Sequence, residues 1–95
     1  MGSLEECFRK EDLSNLAESF VHTWINSDGN PKICVIGTDF NARTYIVEKM
    51  QEILYKKGIQ ANVCSLKEKS ESIIKDSYAI YLDPFLASLI RREGP

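Results

Sequence analysis

Long apolar runs are missing from this chain. Nothing in it approaches the roughly 20 consecutive apolar residues that a membrane-spanning helix needs, and its opening residues lack a signal-peptide pattern. No membrane partner is expected. An excess of one charge is missing as well: 12 Lys and Arg stand against 14 Asp and Glu, a formal net charge of −2. No global basic field therefore draws in nucleic acid, although local basic patches are still allowed. Histidine occurs once, at His22, and Cys7, Cys34 and Cys64 are too widely spaced for a CxxC pair or a Cys/His zinc pattern. Neither a metal nor another cofactor is expected. Glycine is scarce where a phosphate-binding loop would need it, since Gly37 stands alone in its loop. That rules out a Walker loop and a GxGxxG fingerprint.

What is present is an ordinary globular composition, with 43% hydrophobic and 27% charged residues in 95. A chain of that length is read as a single α/β domain, residues 1–95, with little core to spare. Met1-Gly2-Ser3 reads as a cloning remnant and residues 1–10 as a tag or flexible start, so the chain is expected to be a domain cut from a longer protein. Cys34 and Cys64 fall within predicted strands. As reduced, structural thiols they imply an intracellular setting, cytoplasmic or nuclear.

The richest segment is Lys32-Ile33-Cys34-Val35-Ile36-Gly37-Thr38-Asp39-Phe40-Asn41. An unbroken apolar run stops at a glycine and feeds a helix, which is the opening of a βαβ unit. Before it, Leu13, Leu16, Ala17, Phe20, Val21, Trp24 and Ile25 recur at helical steps over 11–26, and Asp12 or Ser14 is the expected cap. After it, a helix from Ala42 to Lys57 stops at Gly58. A strand over Ile59–Leu66 follows, then a short helix over Lys67–Asp76 behind a Ser65-x-x-Glu68 capping box. Ser77–Leu82 reads as the third strand. Asp83-Pro84 opens a last helix, Phe85–Arg92, and the β-α-β-α-β-α unit spans 32–92. The expected fold is a small three-layer α/β/α domain with a mainly parallel sheet of about three strands, preceded by an amphipathic helix. Three strands are few, which leaves an edge to be covered by the first helix or by a neighbour.

Two segments could carry contacts. The loop after the first strand offers Thr38, Asp39, Phe40, Asn41, Arg43 and Thr44 for an anion or a partner. Its plainer reading is a turn in which Thr38 or Asp39 caps the helix. Phe85, Leu86, Leu89 and Ile90 have the spacing of a docking helix, and equally that of a terminal helix packed on the core. Phe40 and Phe85 are candidate exposed anchors. His22 has no nucleophile identifiable by spacing, so a surface or core-edge role is expected for it. Lys56, Lys57, Lys67, Lys69 and Lys75 are interleaved with Glu68, Glu71 and Asp76, which weakens a nucleic-acid patch. No catalytic residue is assigned.

From Lys32 to Leu82 the chain resembles the anticodon-binding α/β domain of class II aminoacyl-tRNA synthetases. The resemblance rests on Lys32-Ile33-Cys34-Val35-Ile36, Lys57-Gly58-Ile59 and Tyr78-Ala79-Ile80-Tyr81. It implies a non-catalytic module for RNA or protein contacts, with no anticodon contact carried over to a particular residue. A second resemblance is to the phosphotransferase IIB domain and the IIB-like domains of bacterial transcription regulators, with Ala42-Arg43-Thr44 matching that family's small and hydroxyl residues. Ile36 stands where that family has its phosphorylatable cysteine. This likeness implies a regulatory domain sensing a phosphorylated partner or forming a homodimer. A small enzyme using the Gly37–Thr44 loop is the remaining alternative.

Overall fold

The computed structural model describes residues 8–27 and 29–89. Its elements run α1 (Lys10–Ile25), β1 (Lys32–Ile36), α2 (Phe40–Lys56), β2 (Asn62–Leu66), α3 (Glu71–Ile74), β3 (Tyr78–Tyr81) and α4 (Asp83–Leu89). The three strands form one sheet in the order β2-β1-β3, and both pairings are parallel. The small α/β fold read from the sequence is the fold observed. Among the described residues no helix is long and apolar enough to cross a membrane.

Register sorts the sheet into two faces. Ile33 lies between Val63 and Tyr78, and Val35 between Ser65 and Ile80; of this row Ile33, Val35, Val63 and Ile80 join the core cluster with Ala17 and Val21 of α1 and Ile46 and Met50 of α2, while Ser65 is exposed. The alternate row, Cys34 between Cys64 and Ala79 and Ile36 between Leu66 and Tyr81, points the other way. The opposite placement of Tyr78 and Tyr81 follows from this. Tyr78 packs against the core and Tyr81 is exposed.

Several boundaries moved for identifiable reasons. The residue capping α1 is Arg9, with no side-chain cap bond, so Asp12 lies in the first turn of the helix and Ser14 beyond it. There Glu11 and Asp12 complement the helix dipole. Ser65 does not cap α3, because it belongs to β2 and its hydroxyl is held by Arg43; α3 follows Ser70 and has four residues. β2 starts at Asn62 rather than Ile59 because the chain first leaves α2 through a tight turn. In it Ile59 N–H bonds Leu54 O, Gly58 N–H bonds Tyr55 O, and Gly58 takes φ +71°. That left-handed conformation is the reason for glycine at this stop.

The cysteine expectation is corrected. Cys34 and Cys64 face each other in the ladder with Cα atoms 4.7 Å apart, and their sulfurs are bonded as a disulfide. The spacing of such residues along the chain, 30 positions, hides a pairing that strand register makes immediate.

Candidate functional site

β1 is the central strand, so its carboxyl end is where a sheet of this kind offers a site. The loop there is closed by its own groups. Asp39 caps α2, its Oδ1 accepting the Ala42 N–H at 3.1 Å. From the far end of the sheet's third strand, Asp83 accepts the Thr38 N–H and the Thr38 hydroxyl, each at 3.1 Å. Two carboxylates thus engage the amides on which an incoming anion would depend.

Arg43 is turned under the loop and is only 7% exposed. Its Nε donates to Ser65 Oγ at 2.6 Å and its Nη1 to the Gly37 carbonyl. The guanidinium carbon stands 5.6 Å from the centroid of the Phe40 ring, within cation–π range. Arg43 makes no ion pair among the described residues. Its work here is to stitch α2, β1 and β2 together. Asn41 and Thr44 turn elsewhere, lining a shallow groove between the starts of α1 and α2 with Leu13 and Tyr45. The six loop residues singled out in the sequence are close along the chain, yet they do not converge on one ligand.

Gly37 is buried and has an ordinary backbone conformation, so what it supplies is room. A Cβ there would sit 3.0 Å from Leu82 Cβ and 3.2 Å from Asp83 Oδ1. Gly37→Ala is expected to lower stability by about 1–3 kcal/mol through overpacking, read by urea denaturation. An unchanged midpoint would show that the β1 and β3 ends can separate freely.

Apolar groups, by contrast, are left open at this end. Phe40 is 65% exposed, and Tyr81 and Phe85 are each 45% exposed. The Phe85 ring meets Phe20 of α1 edge-on, with centroids 5.0 Å apart. Of the other docking-helix candidates, Leu86 is in the core, Leu89 packs against it, and Ile90 lies outside the described residues. His22 is exposed on α1 and its Nε2 is 3.2 Å from the Asn26 amide nitrogen. Among the described residues no group of three or more His, Cys, Asp or Glu is placed to hold a metal. On the outer side of α2, well away from the loop, Lys56 and Lys49 hold the Glu52 carboxyl below the usual carboxylate range.

Asp83 and Ser65 are the residues sequence reasoning missed at this site. Asp83 was legible as a helix start; only the order β2-β1-β3 places it against the Gly37 loop. Compared with family models, curated proteins and solved structures, the chain matches none.

Proposed function

We propose that this chain is a non-catalytic binding domain whose contact surface is the carboxyl end of its sheet, and that the contact is with protein. One observation carries the reading: the polar groups of the loop are engaged internally, at Thr38, Asp39, Arg43 and Asp83, while Phe40, Tyr81 and Phe85 are left open. Exposed aromatic anchors of this kind are what protein interfaces use. RNA recognition of the anticodon-binding type needs cations facing outward; the loop's own cation, Arg43, is buried beneath it, and the exposed Lys67 and Lys69 that follow β2 are interleaved with Glu68 and Glu71. The IIB-like reading, with a phosphorylated partner, meets the Asp39 and Asp83 carboxylates where its phosphate would sit.

An intracellular setting belongs to this proposal, and the Cys34–Cys64 disulfide is the observation that weighs against it. The test is an amide chemical-shift titration with structured RNA and then inorganic phosphate, at low and moderate salt. No shifts are expected with either. Shifts with RNA that fade as salt rises would replace this reading with the anticodon-binding one. Shifts confined to residues 38–44 with phosphate would replace it with the IIB-like or enzymatic one.

A further inference from the structure

We infer that the outer edge of β3 pairs with the same edge of a second copy of this chain, joining two sheets into one of six strands across a two-fold axis. The inference deepens the binding-domain reading and rests on it.

β3 is an edge strand among the described residues, since the sheet ends with it. The Leu82 N–H bonds Ile36 O on the β1 side, so by alternation the amide of Ile80 also turns inward. Those of Ala79 and Tyr81 turn outward, with their carbonyls. The edge lies at the floor of an apolar groove walled by Phe20 and Thr23 of α1 and by Pro84 and Phe85 of α4. Protected edges are kept very short or carry a lysine, a proline or a bulge within the strand. Tyr78-Ala79-Ile80-Tyr81 is short, at four residues, but has no lysine or proline within it.

A backbone edge with alternating donors and acceptors is matched by another extended strand, and the question is which strand. An antiparallel pairing about a two-fold axis normal to the sheet keeps each residue on its own face, so paired residue numbers must sum to an even number. With the axis through Ile80, Ala79 stands opposite Tyr81 of the second copy, and Tyr81 opposite its Ala79. Both are the outward-turned residues. The pairing then closes four hydrogen bonds, and each exposed Tyr81 ring lies over the small side chain of an alanine. On the other face Ile80 meets its own copy, and α1 brings Ser19, Phe20 and Thr23 to the seam. Among the described residues no charged side chain lines the groove, so an uncharged strip meets an identical one. The strand is thus self-complementary in hydrogen bonding, size and charge, and the interface is isologous.

The test is sedimentation of the whole chain from micromolar to millimolar concentration, with amide hydrogen exchange at both extremes. The expected result is a species of twice 10.8 kDa at high concentration. Protection of the Ala79 and Tyr81 amides should rise with it, while that of Ile80 is high throughout. Tyr81→Lys places a charge on the edge and is expected to weaken dimerisation at least about tenfold. Because Tyr81 is already half exposed, the variant should keep the wild-type thermal melt. If it fails to fold, Thr23→Arg on the exposed face of α1 serves the same purpose. A monomer at millimolar concentration overturns the inference, and so does a dimer in which the Ala79 and Tyr81 amides are no better protected. Either result leaves the RNA and phosphate titrations to decide the binding-domain reading by themselves.

Discussion

Replacing Trp24 by alanine is expected to remove about 3–5 kcal/mol of stability, a large share of what a domain of this size possesses. The indole is 4% exposed and belongs to the main core cluster. Its Nε1–H donates to the Asn30 carbonyl at 2.7 Å, pinning the end of α1 to the turn that leads into β1. The substitution therefore opens a cavity and breaks a part-buried hydrogen bond in one step. Trp24→Phe separates the two contributions: an aromatic ring still fills most of the space, and the lost donor alone is expected to account for about 1–2 kcal/mol. Urea denaturation of the three proteins reads both differences. Wild-type stability in Trp24→Ala would place the indole outside the core. A loss in Trp24→Phe equal to that in Trp24→Ala would assign the whole effect to the hydrogen bond.

The position of Trp24 was legible because helical periodicity depends only on local spacing. The same is true of the Ile33–Ile36 run and of the stop at Gly58, where one backbone conformation selects one residue. Legibility ended where a partner came from another strand. Ser65-x-x-Glu68 is a sound capping pattern taken alone. In the fold Ser65 is committed to β2 because Arg43, 22 positions earlier, takes its hydroxyl. The Thr38–Asp83 contact spans 45 positions and exists only because β3 lies beside β1. Asp39 carried enough local information to be named as a cap, and it is one. Arg43 did not: its sequence neighbours suggest an outward cation at a helix start. It turns instead to the carbonyl of buried Gly37 and the hydroxyl of exposed Ser65, residues that give no local sign of receiving a guanidinium. Such non-local pairings decide what the loop is free to bind, which is why the fold could be read further than the site.

The cross-strand disulfide yields the other large effect. Reducing Cys34–Cys64 is expected to lower stability by about 3–4 kcal/mol in the chain-entropy account, because the bond closes a loop of sequence separation 30 in the unfolded ensemble. For a domain near 100 residues that corresponds to a drop of about 15–25 °C in melting temperature. The native contacts around the pair are made by strand register and core packing, so the reduced protein should keep its secondary structure at room temperature. The loss is then carried by the unfolded state, which gains freedom. Thermal melts with and without a dithiol reductant measure the effect, and the double variant Cys34→Ala/Cys64→Ala should melt low and stop responding to reductant. Mass spectrometry after alkylation provides the independent count: two more alkyl groups are expected after reduction than before. Equal counts, together with identical melts, would show the thiols unbonded. Free thiols at Cys34 and Cys64 would then favour an intracellular setting. A bonded pair in protein alkylated inside intact cells would point to an oxidising compartment or a thiol pair held oxidised within the cell. The stability of this sheet would then depend on the redox state of its surroundings.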